Sequence, residues 1–405
     1  MIKLTSKTIS KTIFFALIVS TLLNFCACSG DDTPSQTNGD KQTQAQTKAP
    51  TANETEPPST DPAETQPEPD YKGQDGDYTY EVFGNDVYIT SYKGEETQLS
   101  LPASFGEYTV TAIADGAFKG NESITSVVIP SGYTAIGPSA FADCKSLRSA
   151  SLPDTLKEIG FSAFHSCTKL SDITIPDGVF SIGGMAFNSC QSLTSISLPE
   201  GVTAVTHSLF EKCTSLTSIT LPKTITVIEP RAFASCPITE FVCGENVEKL
   251  GYAVFSNCDK LTDVTLNDKI TAIPDMAFYE CSVLSKITLP ASLTEIGERA
   301  FFSCLALTNA EIPASVNKIG KSAFFNCADL KTVNIPSGIT KLNDDLFYNC
   351  RSLNTLNIPA TVTFIGKDVF KESAMTTINF DGSQEQWKVC KGDSDYSAIT
   401  VNFSK

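Results

Sequence analysis

The chain has 405 residues and a formal net charge of −16 at pH 7, with 41% hydrophobic and only 19% charged residues. A chain this acidic lacks the basic surface that binding to phosphate backbones needs, so nucleic acid is excluded as an expected partner. The 2 histidines leave little material for acid–base catalysis or a metal site. We therefore expect no catalytic activity, no metal and no cofactor.

The first segment, residues 1–28, has the features of an export signal. Three lysines precede an apolar stretch, 13–25, that is too short to cross a hydrocarbon core of ~30 Å. The stretch ends at Cys26-Ala27-Cys28 and resembles the signal of bacterial lipoproteins, in which a small residue precedes a lipid-modified cysteine. This resemblance predicts lipidation of Cys28 and a chain exported and anchored through lipid to the bacterial cell envelope. An ordinary cleaved signal without lipid is the alternative.

The second segment, residues 29–70, is a linker rich in threonine, proline and glutamate. It contains no Val, Ile, Leu, Phe, Tyr or Trp. Such a composition cannot bury enough apolar area to offset the entropy lost on ordering. The sequence predicts a disordered tether that proline and acidic repulsion extend.

The rest of the chain is a repeat array with a period of 23 residues and one step of 22. Phenylalanine marks the repeats at Phe118, Phe141, Phe164, Phe187, Phe210, Phe233, Phe255, Phe278, Phe301, Phe324, Phe347 and Phe370. In one copy, Ile173-Thr174-Ile175 alternates with the period of a strand, and Pro176 ends the pairing because it has no N–H. One short strand per repeat follows, stacked in parallel over a continuous core.

The repeat unit Cys-x-x-Leu-x-x-Ile-x-Ile-Pro-x-x-Val-x-x-Ile-Gly-x-x-Ala-Phe resembles the BspA-type leucine-rich repeat of bacterial surface proteins, also called the TpLRR class. The resemblance implies a right-handed α/β-type solenoid of about 12 repeats over residues 110–380. It also implies an N-terminal cap over 71–109 and a C-terminal cap, containing Trp387, over 381–405. The family is associated with adhesion to host or matrix proteins and to other cells.

Ten cysteines form one column of the array, three residues after the phenylalanine. They are Cys144, Cys167, Cys190, Cys213, Cys236, Cys258, Cys281, Cys304, Cys327 and Cys350. Export favours disulfides in general, but equivalent Cβ atoms on adjacent repeats would lie about 4.8 Å apart with parallel vectors, which is too far for a relaxed disulfide. The column is therefore interpreted as a structural ladder of buried free thiols that bond turn carbonyls.

Two surfaces are candidate partner sites. The first is the outer face of the strands, where we single out Asp263, Thr265, Lys286 and Thr288; its polar composition lacks the usual hot-spot residues, and a merely solvated sheet is the alternative. The second is the position after the repeat phenylalanine, which holds Tyr279, Phe302, Phe325 and Tyr348 on four consecutive repeats. Four adjacent exposed aromatics would form an apolar stripe of a kind that often marks a partner site. The alternative is that these rings fold back over the core and only stabilise it.

The most direct functional prediction is a lipid-anchored surface protein that binds a protein ligand on host, matrix or other cells, without catalysis. The alternative is the scaffold or recognition part of a secreted enzyme complex. No catalytic or nucleotide-binding sequence motif occurs. Ice binding through the Thr and Ser rows would need flatter and more regular columns.

Overall fold

The computed structural model of the protein describes residues 68–392 and 394–404. The export signal, Cys28 and the linker up to residue 67 lie outside the described residues. From Asp70 onward the chain forms a solenoid of about 14 turns. We call each turn a rung.

The N-terminal end begins with three antiparallel strands, β1 (Tyr71–Asp75), β2 (Tyr78–Phe83) and β3 (Asp86–Tyr92). The third strand pairs in parallel with β6 (Tyr108–Ile113), which also forms a hairpin with β5 (Ser104–Phe105). Tyr80 stacks on Phe105 with ring centroids 4.3 Å apart. Tyr92 contacts Phe118, the first repeat phenylalanine, with ring centroids 5.7 Å apart, so the aromatic side chains of these strands pack on the end of the core.

The first ladder contains the strands that the repeat pattern predicts and one further strand at each end. The inward residue of each strand is buried or partly buried, while the flanking residues, mostly Ser, Thr, Asn or charged, are outward, so the alternation of period 2 is obeyed. They are β4 (Gln98–Ser100), β7 (Ser126–Val128), β9 (Ser149–Ser151), β11 (Asp172–Ile173), β13 (Ser195–Ser197), β15 (Ser218–Thr220), β17 (Glu240–Val242), β19 (Asp263–Thr265), β21 (Lys286–Thr288), β23 (Asn309–Ala310), β25 (Thr332–Val333), β27 (Thr355–Pro359), β29 (Thr377–Asp381) and β30 (Thr400–Phe403).

A second ladder of two-residue strands adds to the one strand per repeat that the sequence predicts. Its inward residue, such as Ile159 or Ile182, is buried and pairs in parallel with the equivalent residue of the next rung. Two residues are too few to show an alternation in the sequence. After β6 the strands are β8 (Ala135–Ile136), β10 (Glu158–Ile159), β12 (Ser181–Ile182), β14 (Ala204–Val205), β16 (Val227–Ile228), β18 (Lys249–Leu250), β20 (Ala272–Ile273), β22 (Glu295–Ile296), β24 (Lys318–Ile319), β26 (Lys341–Leu342) and β28 (Phe364–Ile365).

The repeat phenylalanines stack on one another along the axis of the core. Phe118 and Phe141 have centroids 4.9 Å apart, and Phe347 and Phe370, at the other end of the stack, are 6.3 Å apart. All the interplanar angles in the stack are small, for example 2° between Phe164 and Phe187. This column of rings, with the leucines and isoleucines around it, forms the continuous core that a single repeat could not build.

The turn that carries each phenylalanine requires two residues in the left-handed region. The residues two before and two after Phe210, Ser208 and Lys212, have φ of 51° and 62°. The same two columns have positive φ on every rung from Ser139 to Glu372, and none of these 22 residues is glycine. The glycines of the repeat lie elsewhere: a Cβ on Gly160 would meet the backbone nitrogen of Pro138 at 2.5 Å, so this column is small because adjacent rungs pack closely.

The C-terminal end is closed by the helix α1 (Gln384–Lys391), which starts at a capping box on Ser383. Its buried Trp387 packs on Phe380, with ring centroids 5.5 Å apart. Among residues 68–392 and 394–404, no helix has the length and apolarity needed to span a membrane.

Candidate functional site

The aromatic stripe, defined as Tyr279, Phe302, Phe325 and Tyr348, is brought together as four neighbouring rings on consecutive rungs. The centroid distances are 4.9 Å for Tyr279–Phe302, 4.5 Å for Phe302–Phe325 and 4.7 Å for Phe325–Tyr348. Interplanar angles of 13°, 4° and 4° show parallel stacking along the solenoid axis. The in-register turns cause this arrangement, because each ring sits one residue after a core phenylalanine.

Each ring of the stripe is half-buried rather than fully exposed. Burial raises the pKa of the Tyr279 hydroxyl, as expected for a phenol in contact with an apolar surface. Since the rings stack face to face, their faces are covered by one another and their edges point outward. The stripe therefore presents C–H edges and two terminal hydroxyls, which suit apolar side chains, carbonyl oxygens and edge-to-face aromatic contacts.

Lys371 occupies the next rung of the same column and closes the stripe at its C-terminal end. Its Nζ lies 5.8 Å from the centroid of the Tyr348 ring, within the range of a cation–π contact. Lys371 is not among the site residues predicted from the sequence, although the repeat spacing places it in the same column as the four rings. The terminal ring face is thereby occupied by a cation of the protein itself.

A row of polar side chains borders the stripe and fixes the adjacent turn. Asn326 Nδ2 donates to Ser303 Oγ at 3.0 Å, and Asn349 Nδ2 donates to Asn326 Oδ1 at 2.6 Å. Arg351 Nε donates to Asn349 Oδ1 at 2.8 Å. On the same rungs Val283 and Leu305 are 38% and 39% exposed. An apolar ridge bordered by a polar row has the composition of a protein-binding surface.

The N-terminal rungs of the same column hold small or polar residues instead. Ala142 and Ser256 are buried in this position, and Asn188 Nδ2 donates to Glu211 Oε2 at 3.4 Å. His165 Nδ1 is buried without a hydrogen-bond partner among the described residues, and desolvation lowers the pKa of this imidazole. The solenoid therefore folds with or without aromatic rings in this column.

The four strand-face residues lie on β19 and β21 and pair with one another. Asp263 and Lys286 are in register, and Lys286 Nζ lies 3.0 Å from Asp263 Oδ2. Thr265 and Thr288 are the next pair in register. This ion pair is exposed to solvent, so it contributes little to stability.

The cysteine column makes the same contact on each of its ten rungs. Each thiol donates to the carbonyl oxygen of the phenylalanine one rung earlier, as Cys213 Sγ does to Phe187 O at 3.1 Å. The ten thiols are buried and free, and burial raises the pKa of Cys213 to about 12. Asn121, in the equivalent position of the first repeat, accepts from the N–H groups of Ser123 and Ile124 instead.

In the part of the chain that the structure describes, no group of three or more His, Cys, Asp or Glu side chains is placed to hold a metal ion.

Comparison with known proteins agrees with this architecture. The profile of the BspA type leucine rich repeat region matches residues 111–240 and 248–377. A leucine rich cell surface protein from Faecalibacterium prausnitzii A2-165 is 31% identical, over 82% of this chain and 100% of that chain, with a TM-score of 0.59. A leucine-rich repeat protein from Bacteroides ovatus ATCC 8483 is 23% identical, over 83% of this chain and 100% of that chain, with a TM-score of 0.47.

The leucine rich repeat protein of T. pallidum is 22% identical, over 63% of this chain and 88% of that chain, with a TM-score of 0.26. A search among curated proteins gave no match.

Proposed function

Because the chain belongs to the BspA-type leucine-rich-repeat family, we propose that it is a lipid-anchored cell-surface protein that binds a protein partner through its aromatic stripe. The partner is a protein of the host, of the extracellular matrix or of another cell, and binding is the whole activity, with no catalytic step.

One observation carries this proposal: four stacked, half-buried rings stand on consecutive rungs in a column that needs no aromatic residue for folding. On the preceding rungs the position holds Ser256 and Ala234, both buried in the same turn. Aromatic residues in an apolar patch are the side chains that most often dominate the energy of protein interfaces.

The orientation of the rings favours a protein over a glycan as the ligand. Sugars pack on the open face of an aromatic ring, whereas the faces of Phe302 and Phe325 are stacked on each other at 4.5 Å. The exposed ring edges instead suit the apolar side chains and carbonyl groups of a protein surface.

The thiols support a scaffold role rather than a chemical one. A reactive cysteine must reach the thiolate form, and the buried Cys213 and Cys258, each with a pKa raised to about 12, stay protonated at neutral pH.

The anchored location rests on two separate arguments. The signal that ends at Cys28 resembles that of lipoproteins. The Faecalibacterium prausnitzii relative is described as a cell surface protein. Both arguments support the proposed location of the solenoid outside the cell, where the segment 29–70 would serve as its tether.

The test is the binding of the purified full chain to intact cells and to surfaces coated with matrix proteins. In the test variant Tyr279, Phe302, Phe325 and Tyr348 are all changed to serine, the residue that Ser256 places in this column. We expect at least a tenfold loss of binding while the far-ultraviolet circular dichroism and the cooperative melting transition are retained.

The matched control changes Lys119 and His165 to serine in the same column but outside the stripe, and it should bind as the parent does. Treating the target cells with protease should abolish binding by the parent. Unchanged binding by the stripe variant, or equal loss in the control, would contradict the proposed site.

A further inference from the structure

The two ladders end differently at the C-terminal end of the solenoid. The last strand of the second ladder, β28, is covered by helix α1. The last strand of the first ladder, β30, pairs with β29 on one side, and in the described part of the chain its other side has no strand. Within the described residues this edge of β30 is open, and an open strand edge can pair with another strand.

The backbone groups that face the open edge can be identified from the register. Thr400 N–H donates to Thr376 O at 2.8 Å, and Ser404 N–H donates to Phe380 O at 3.3 Å, so the even-numbered residues of the strand face β29. The N–H and C=O groups of Val401 and Phe403 must then face outward, because these directions alternate along a strand. None of these four groups has a hydrogen-bond partner within residues 68–392 and 394–404.

The strand at the open edge lacks two of the usual protections against pairing, charged residues and proline. Thr400–Phe403 contains no charged residue and no proline, and the side chain of Phe403 is 37% exposed. At the other end of the same ladder, β4 has only three residues and is preceded by Glu95 and Glu96. Charged flanks and short length are the common devices that block such edges.

We propose that β30 pairs with β30 of a second copy of this chain, antiparallel and about a twofold axis through Asn402. In this register Val401 faces Phe403 of the second copy and exchanges both N–H···O bonds with it, and the symmetric pair does the same. All four outward backbone groups are satisfied by four hydrogen bonds. A twofold interface closes at two copies and produces no filament.

The side chains fit the same register. Asn379 Nδ2 donates to Asn357 Oδ1 and Asn402 Nδ2 donates to Asn379 Oδ1, both at 2.9 Å, so an amide ladder runs along the last rungs. Asn402 ends this ladder, and its Oδ1 accepts no hydrogen bond from a described residue. Across the twofold axis it would face Asn402 of the second copy at a Cα separation of ~4.5 Å, where the two amides can pair.

The proposed register also covers the exposed side chain of Phe403. Its ring packs edge-on against Phe380, with centroids 6.5 Å apart, and its outer flank is open. In the paired arrangement Val401 of the second copy covers this flank, which gives an aromatic and β-branched cross-strand contact. The dimer also carries two aromatic stripes, so a weak partner contact would be strengthened by avidity.

The first test is site-specific crosslinking of the full chain, purified in detergent. An Asn402→Cys variant should form a disulfide between two copies under mild oxidation, and peptide mass spectrometry should identify the linked 402 residues. The matched control is Thr400→Cys, whose two copies would lie ~13 Å apart, four residues out of register. Equal crosslinking of both variants, or none in the 402 variant, would overturn the proposal.

The second test is the mass of the full chain by analytical ultracentrifugation. We expect a dimer at micromolar concentration and at least a tenfold weaker dimer in the Val401→Pro variant, because proline removes an outward N–H and none of the bonds to β29. Val401→Ala keeps that N–H and should dimerise within about threefold of the parent. A parent that stays monomeric at ~100 µM, or a proline variant that dimerises like the parent, would contradict the assignment.

Discussion

The left-handed turns predict that one lysine can be replaced by glycine with a gain in stability. Lys212 is exposed and has φ of 62°, and no ion pair involving its side chain occurs among the described residues. The first repeat already has Gly116 and Gly120 in the two left-handed columns, with φ of 61° and 71°. Lys212→Gly keeps the backbone bond from its N–H to Ala234 O, at 2.8 Å.

The size of the effect follows from two opposing terms. A left-handed conformation costs an L-residue roughly 1–2 kcal/mol, and glycine avoids this cost. Glycine in turn loses about 0.5–1 kcal/mol through the greater freedom of its unfolded chain. We therefore expect Lys212→Gly to raise the free energy of unfolding by about 0.5–1 kcal/mol.

The control is the same substitution at Lys157, which is exposed, has no positive φ and donates its N–H to Thr134 O at 2.8 Å. There glycine brings only its entropic cost, so the free energy of unfolding should fall by about 0.5–1 kcal/mol. Urea unfolding followed by circular dichroism should move the two midpoints in opposite directions. If Lys212→Gly lowers the midpoint as Lys157→Gly does, the left-handed assignment of these columns is wrong.

Three further predictions concern the anchor, the thiol ladder and the strand face. Changing Cys28 to serine should move the protein from the membrane fraction to the soluble fraction without changing its melting temperature; unchanged fractionation would exclude the anchor. Cys213→Ala should cost about 1–2 kcal/mol in urea unfolding, since packing is lost but the Phe187 carbonyl keeps a backbone donor. The parent thiols should react slowly with a thiol reagent until the chain unfolds, and rapid reaction in the native state would contradict their burial. The double change of Thr265 and Thr288 to lysine should leave cell binding within about twofold, and a tenfold loss would show that the strand face takes part.

The sequence predicts the fold well because the period is a direct consequence of stacking. Each turn has one inward strand residue and one core phenylalanine, such as Ile173 and Phe164. This pattern therefore recurs in the sequence every 23 residues. The second ladder produces no recognisable sequence pattern, since a strand of two residues cannot show an alternation of apolar and polar residues. The last rung was also missed as a strand, although Val401 follows Ile378 by one period, because no phenylalanine marks that repeat.

The candidate site was predictable in composition and only partly in geometry. The column after the repeat phenylalanine identifies four consecutive aromatics, and the in-register turns bring them together. The stacking of Phe302 on Phe325 and the closure of the stripe by Lys371 depend on side-chain rotamers, which spacing does not specify. The positive φ of the two left-handed columns was not predictable from the sequence either. Ser, Lys and Glu occupy these positions, whereas glycine would have indicated a positive φ.

The proposed function requires that the aromatic stripe touches a protein partner. The most direct measurement is photo-crosslinking of the full chain on intact target cells, with a benzophenone amino acid placed at Phe302 in one variant and at His165, in the same column, in the other. We expect a crosslinked protein of one size from position 302 and none from position 165. Crosslinks of equal yield from both positions, or none from position 302 while the chain remains bound to the cells, would contradict it.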